Sequence, residues 1–214
     1  MYNIKKSKIL ERIALGENQH QDFKFEISDA KKIARSFAAF ANTDGGSLLL
    51  GVKDNGSITG VRTGEEIYMA EAAAKMYCTP EVPFSLKEWK IEGKTIIEII
   101  IPKSDKKPIK ALSHNGKWLA YIRVNDQNIL VNKVMIDVWK AKANNIETKI
   151  NYGETEAKLL KYLDEHKKIT LSKVCKICDI SRYKAQKLLT DFILLRLVNI
   201  VFTEKECYYV NLEI

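Results

Sequence analysis

The sequence lacks any long hydrophobic run. Its longest apolar stretch, residues 95–102, is interrupted by Glu98 and has the length of a single strand. A membrane-spanning helix needs about 20 consecutive apolar residues. The lysines near the N-terminus are followed by no apolar segment, so no signal peptide is predicted. We therefore expect a soluble, cytoplasmic protein with no membrane contact.

Cysteine is scarce and the common cofactor motifs are missing. Cys175 and Cys178 form a C-x-x-C, but no second Cys or His pair follows at the spacing of zinc ligands. The phosphate-binding patterns G-x-x-x-x-G-K-[ST] and G-x-G-x-x-G do not occur, which argues against ATP and dinucleotide chemistry. We expect reduced cysteines, no metal site built on Cys or His, and no bound cofactor.

Acidic residues are outnumbered by basic ones. The chain has 35 Lys and Arg residues against 27 Asp and Glu residues, which gives a formal net charge of +8. Cationic side chains gain affinity for nucleic acids by releasing counterions from the phosphates. The hydrophobic fraction of 46% is that of an ordinary globular protein. The composition therefore favours a folded protein with a polyanionic partner.

Hydrophobic periodicity predicts an α+β fold of two domains. Residues 1–143 alternate between helical and strand patterns, which indicates an α/β domain with a mixed sheet. Its last helix is predicted at residues 131–142, and a short return strand at 57–61. Residues 144–153 are polar without periodicity, which is typical of a linker. Residues 154–214 then show three helical patterns (154–165, 171–178 and 183–195) and two short strands (197–202 and 207–211).

This C-terminal order of three helices and a hairpin is typical of a winged helix-turn-helix. The third helix would read the major groove with the exposed side chains of its first turns. These predicted nucleic-acid-binding residues are Arg182, Tyr183, Lys184, Gln186 and Lys187. The alternative is a solvated face on a winged helix that serves dimerisation or protein contact. The net acidic hairpin tip, residues 204–206, favours that alternative.

Several N-terminal motifs resemble the Schlafen AlbA-like family, which is described as DNA-binding. The matching segments are Gly16-Glu17, Asp22-Phe23-Lys24, residues 37–46 with the ending Asn-Thr-Asp-Gly-Gly, residues 48–56, and Tyr121-Ile122-Arg123-Val124-Asn125. Asn125 stands where the family usually has glycine. The resemblance covers roughly the first two-thirds of the chain, and bacterial members often carry a winged helix behind this domain.

The resemblance implies two functions. The first is nucleic-acid binding within a transcriptional regulator. The second follows from animal Schlafens, some of which cleave RNA with three acidic residues; the corresponding candidates here are Glu17, Asp22 and Asp54. Clustered carboxylates can hold Mg²⁺ or Mn²⁺, which only this endoribonuclease alternative would require. Asp22 stands where the family usually has Glu, and it could instead simply pair with Lys24 on the same strand face.

A lysine-rich segment in the first domain supplies further candidates. Lys103, Lys106, Lys107 and Lys110 cluster around two prolines and lead to Trp118, Tyr121 and Arg123. Cations beside aromatic side chains suit phosphate contact and base stacking. The alternative is a solvated loop without function.

Together these patterns predict a bacterial DNA-binding protein, more a transcriptional regulator than an enzyme. DNA is the expected partner and RNA the alternative. A homodimer is expected, since winged-helix regulators often pair to match palindromic sites. The competing hypotheses are the metal-dependent endoribonuclease and a protein-interaction module.

Overall fold

The alternation of helical and strand periods produces an α+β fold, as predicted. The computed structural model describes residues 2–61 and 64–212, with side chains from residue 8 onward. The chain divides into two units, Met1–Leu130 (unit 1) and Val131–Ile214 (unit 2). Neither unit, in its described part, has a helix with the length and apolar character that crossing a membrane requires.

In its described residues, unit 1 combines three helices with two four-stranded sheets. The helices are α1 (Tyr2–Ala14), α2 (Ala30–Asn42) and α3 (Glu65–Lys75). The first sheet has the order β1-β2-β5-β4, with β1 (Gln21–Lys24), β2 (Gly46–Leu50), β4 (Ser85–Ile91) and β5 (Lys94–Ile101). The second has the order β3-β6-β7-β8, with β3 (Cys78–Thr79), β6 (Lys110–Leu112), β7 (Trp118–Val124) and β8 (Gln127–Leu130).

Helix α2 is the central layer of unit 1, because it is apolar on more than one side. Asp29 caps it by accepting hydrogen bonds from the backbone of Lys31 and Lys32. Its buried Phe37 and Phe40 share one core with side chains of both sheets. The opposite face of the first sheet is covered by α1, whose Ile9 packs in a second cluster with Leu49 and Ile96. The order of layers is therefore α1, first sheet, α2, second sheet.

The Gly45-Gly46 pair lets the backbone turn tightly between α2 and β2. Gly45 has a φ of +76°, and a Cβ atom there would lie 2.9 Å from the carbonyl oxygen of Ile101. A Cβ atom on Gly46 would lie 2.4 Å from the Phe40 ring. Only residues without a side chain let this turn pack so closely against Ile101 and Phe40.

Glu98 is a buried carboxylate that ties four elements together. It accepts hydrogen bonds from Arg12 Nη1 of α1 at 2.6 Å, Ser47 Oγ of β2 at 2.9 Å and Trp89 Nε1 of β4 at 2.9 Å. Burial acts to raise the pKa of Glu98, but the hydrogen bonds and the charge of Arg12 outweigh it and lower that pKa. A charged group is tolerated here because three donors replace its water.

Unit 2, as described up to residue 212, consists of four helices and one antiparallel sheet. The helices are α4 (Lys133–Ala143), α5 (Glu154–His166), α6 (Leu171–Cys178) and α7 (Arg182–Leu194). The sheet has the order β10-β11-β9, with β9 (Lys168–Ile169), β10 (Val198–Phe202) and β11 (Cys207–Asn211). Leu159, Val174, Phe192 and Tyr209 are buried in its core. The predicted helices and strands of residues 154–214 agree with these bounds within two residues.

The boundary between the units differs from the predicted one. The helix assigned to the end of the first domain is α4, and its Val134 is buried in the core of unit 2. Asn132 caps α4 by accepting from Met135 N, and its side-chain amide donates to Cys207 Sγ of β11. The predicted linker is also engaged, since Ile150 packs against the same core. Because residues 144–153 are mostly polar, the sequence did not predict the packing of Ile150.

The short elements were the other departure from the predictions. The expected return strand at 57–61 is only a single bridge between Val52 and Ile58. Strands β3, β8 and β9 were not predicted; they have two to four residues each, which is too short for a periodic signal.

We expect Asn42→Ala to lower the free energy of unfolding by about 3 kcal/mol, because it leaves buried backbone groups unpaired. The Asn42 amide donates to the carbonyl oxygens of Ile109 and Tyr121, and its Oδ1 accepts from Ile109 N. Chemical denaturation measures the loss. The control is Asn151→Ala, at an exposed position; equal stability of the two variants would contradict the assigned role.

Candidate functional site

The first turns of α7 present a basic, exposed surface. Ser181 caps the helix by accepting from the backbone of Lys184, and no acidic residue lies in the first turn. Ala185, Leu188, Leu189 and Phe192 face the core. The opposite positions of the helix are therefore left to solvent: Arg182, Tyr183, Lys184 and Lys187.

The cations of this surface are unpaired. Within the described residues, no carboxylate forms an ion pair with Arg182, Lys184 or Lys187, whereas Lys158 of α5 pairs with Glu154 at 2.7 Å. The Tyr183 side chain is 76% exposed. An arginine, two lysines and an aromatic ring are thus available together for an anionic ligand with planar groups.

A third lysine joins this surface from the predicted linker. Lys149 lines a groove of about 370 Å³ together with Lys184 and Lys187. Two carboxylates, Glu156 and Asp191, line it as well, and burial raises the pKa of Asp191. Lys149 was not predicted as a binding residue, because in the sequence only the neighbouring Ile150 indicates that this segment packs against a core.

Gln186 lies in a different environment from the one predicted. It is half-buried and lines a groove of about 350 Å³ between α7 and α4, with Thr190 on its own helix and Asp137 on the other. Helix α4 therefore flanks one side of the α7 surface. Gln186 is less accessible to a large ligand than the residues of the first turn.

The lysine-rich segment of unit 1 is only partly available. Lys106 is exposed, whereas Lys107 and Lys110 are half-buried and Lys103 lies 3.6 Å from Asp44. The segment is anchored by a hydrogen bond from Ser104 N to the carbonyl oxygen of Ala41. Among the expected aromatics, the Trp118 side chain is 41% exposed and the Tyr121 side chain is buried.

Arg123 is not a surface residue, which corrects its assignment to nucleic-acid binding. It is only 2% exposed. Its guanidinium donates to the carbonyl oxygens of Asn18 and Gln21 and to Asn128 Oδ1, at 3.1–3.2 Å. It also lies 3.5 Å from Asp22 Oδ1. The side chain joins β7 to β8 and to the loop and strand that precede α2, so its guanidinium is engaged inside unit 1.

Glu17 and Asp22, two of the three acidic candidates, lie side by side and share a hydrogen bond. Lys24 Nζ lies 3.1 Å from Asp22 Oδ1 and 3.7 Å from Glu17 Oε1. Burial raises the pKa of Glu17 to about 7, and its hydrogen bond with Asp22 adds to the rise. Burial acts in the same direction on Asp22, but the bond to Glu17 and the charges of Lys24 and Arg123 outweigh it and lower the pKa of Asp22. The pair therefore shares one proton, held by Glu17.

This pair does not fit a divalent metal. Asp54 belongs to the loop after β2, and no group of three His, Cys, Asp or Glu side chains suited to a metal ion occurs in the described part of the chain. The positive charge that the carboxyls need is supplied by Lys24 and Arg123. A divalent ion would have to displace the Lys24 ammonium group, so we derive no nuclease step from these residues.

The segment that contains Glu17, Asp22 and Arg123 matches a known protein family. A family model described as Schlafen, AlbA_2 matches residues 17–132, which is more than half of the chain. The chain belongs to this family. The match includes the Glu17–Asp22 pair, α2 and Arg123, and it ends two residues beyond the end of unit 1. No curated protein matches the chain.

Two solved structures resemble parts of this Schlafen AlbA_2 protein. The DIP2311 protein from Corynebacterium diphtheriae is 21% identical with a TM-score of 0.44, and the match covers 57% of this chain and 24% of that one. The N-terminal domain of an ATP-dependent DNA helicase RecG-related protein from Nitrosomonas europaea is 22% identical with a TM-score of 0.40, over 59% and 94% of the two chains. Our chain thus spans about a quarter of the Corynebacterium protein. Likenesses this weak carry no functional argument.

We expect Glu17→Gln to remove a pH dependence of stability. The folded protein holds a proton on Glu17 up to about pH 7, whereas an ordinary glutamate has a pKa of 4.5. Stability should therefore fall as pH rises from 4.5 through about 7 and stay reduced above it. The opposite effect of Asp22 lies at lower pH, below its ordinary 3.8.

The glutamine keeps an oxygen for Phe23 N, which donates to Glu17 Oε1 at 2.8 Å, and offers an amide to Asp22. The variant should melt above the wild type at about pH 8, and the difference should shrink toward about pH 5. Thermal denaturation across this range measures it, with the exposed Glu88→Gln as control. A difference that is constant with pH would rule out the shared proton.

Proposed function

We propose that the chain binds nucleic acid, with duplex DNA as the partner and unit 2 as the binding module. In this proposal unit 2 is a winged helix-turn-helix. The order α5, β9, α6, α7, β10, β11 and the pairing of β11 between β9 and β10 support it, because winged helices share that arrangement. Helix α7 is the recognition helix.

The observation that carries the proposal is the unpaired cations at the start of α7. Arg182, Lys184 and Lys187 point to solvent, and none of them forms an ion pair within 4 Å in the described residues, although the charge of Lys187 acts on Asp191 in the same groove. The amino end of a helix adds a partial positive charge, which favours phosphate oxygens. The exposed ring of Tyr183 lies among them. A sugar-phosphate backbone supplies the negative charge that this surface lacks.

Lys149 extends the same surface beyond the helix. It borders one groove with Lys184 and Lys187, so a phosphate strand that follows α7 would meet it too. Lys106 and Lys110 of unit 1 remain candidates for additional phosphate contacts.

The cellular role that we propose is regulation of transcription in the bacterial cytoplasm, by a homodimer. Phosphate contacts position such a protein, and side chains of α7 that reach base edges select the sequence. RNA binding is the alternative outcome of the same measurements.

The test is the triple variant Arg182→Ala, Lys184→Ala, Lys187→Ala. We expect most duplex-DNA affinity to be lost, because each phosphate contact removed also removes about 0.9 from the slope of log affinity against log salt. Fluorescence anisotropy with labelled duplex DNA, single-stranded DNA and RNA at several salt concentrations measures both quantities.

The matched control replaces three other exposed lysines, Lys75, Lys90 and Lys161, by alanine, which lowers the net charge equally. This control should bind almost as the wild type does. Equal losses in the two triple variants would show non-specific attraction to net charge and refute α7 as the binding surface.

Lys149, which was not predicted from the sequence, can be tested separately from α7. Lys149→Glu should weaken DNA binding about tenfold, because it places a negative charge beside Lys184 and Lys187. Lys142→Glu makes the same charge change at an exposed position near the end of α4 and should have a smaller effect. The same anisotropy assay decides between them; a stronger effect of Lys142→Glu would place the DNA elsewhere.

A further inference from the structure

The sheet of unit 2 is apolar on both faces. Val198 and Tyr209 point inward and are fully buried. A sheet with one face in water normally carries polar residues on it. Of the outward positions here, and the residues that continue them, only Asn199 is an amide; the others are apolar or aromatic: Leu197, Val201, Tyr208, Val210 and Leu212. Leu197 is 40% exposed and Leu212 is 41% exposed. An exposed apolar face of this kind is typical of an interaction surface.

This face and α5 border one groove, which we call the hairpin groove. Its volume is about 990 Å³, and its apolar floor includes Leu160 of α5, Leu197, Val210 and Leu212. Asp164 and Lys167 form its polar rim on the α5 side. The groove belongs wholly to unit 2 and does not include the exposed side chains of α7.

The rim of the hairpin groove carries both a hydrogen-bond acceptor and a hydrogen-bond donor, Asp164 and Lys167. The Asn211 amide donates to Asp164 Oδ1 at 2.6 Å. Asn211 Oδ1 is buried and accepts no hydrogen bond in the described structure, although buried acceptors are normally satisfied. Lys167, at the end of α5, is exposed and has no acidic partner among the described residues. The groove therefore presents the Asp164 carboxylate as an acceptor and the Lys167 ammonium group as a donor.

We propose that the hairpin groove docks a second copy of this chain. A two-fold interface uses the same patch on both subunits, so the patch must complement itself. In such a pair, the Lys167 ammonium of each copy meets the Asp164 carboxylate of the other. The leucines of the two floors pack against one another and leave water. The charge pairs fix the orientation and the apolar floor supplies the driving force.

The surface itself is independent of nucleic acid; only the use of the dimer on palindromic DNA rests on the proposed function. Dimerisation is therefore measured on the full chain without nucleic acid, by sedimentation velocity over a range of concentrations. A monomeric wild type would overturn this proposal and leave DNA binding by α7 untouched. A dimer that fails to bind DNA would do the reverse.

A charge swap gives the sharpest test. Lys167→Asp and Asp164→Lys should each raise the dimer dissociation constant at least about tenfold, because each places like charges opposite one another. The double variant restores opposite charges across the interface and should dimerise again. Leu212→Asp should also give monomers, since it places a charge in the apolar floor.

Lys161→Asp is the control, because it makes the same charge change at an exposed position of α5 that does not line the groove. It should dimerise as the wild type does, and thermal denaturation of every variant checks that unit 2 is folded. The proposal fails if folded single variants dimerise normally, if the control is weakened equally, or if the double variant stays as weak as the single ones.

Discussion

The buried Arg123 guanidinium is the constraint on which much of unit 1 depends. A charge this deep is tolerable only if carbonyl oxygens and a carboxylate surround it, and these come from Asn18, Gln21, Asn128 and Asp22. Together with the hydrogen bond from Glu17 and the charge of Lys24, it lowers the pKa of Asp22 despite burial, whereas burial and the contact with Asp22 raise the pKa of Glu17 to about 7. The second sheet is thereby fastened to the first strand by electrostatics as well as by the apolar packing of α2.

The positions of helices and strands were predicted better from the sequence than the neighbours against which they pack. Long periodic segments such as α5 and α7 were predicted with nearly correct bounds, because the apolar pattern reports directly which face is buried. The same pattern says nothing about which neighbour covers that face. For this reason α4 was assigned to the wrong unit, and Arg123 was read as a surface cation although its spacing in β7 is equally compatible with burial.

The candidate site followed the same rule. The exposed cations of α7 were predictable because the capping Ser181 and the core positions Ala185 and Leu188 fix the orientation of the helix. Lys149 and the acceptors around Asn211 were not, since each depends on contacts between segments that are distant in sequence. Local patterns identify the chemistry of a surface, and tertiary packing decides how far that surface extends.

The tie between Asn132 and Cys207 has a practical and an evolutionary meaning. Because α4 supplies Val134 to the second core, the natural breakpoint for excising or recombining the C-terminal module precedes Val131, well before the polar stretch that looks like a hinge. A gene fusion joined at residue 144 would transfer a module with an open apolar wall. A fusion joined before residue 131 would include α4, whose Val134 covers the core of unit 2.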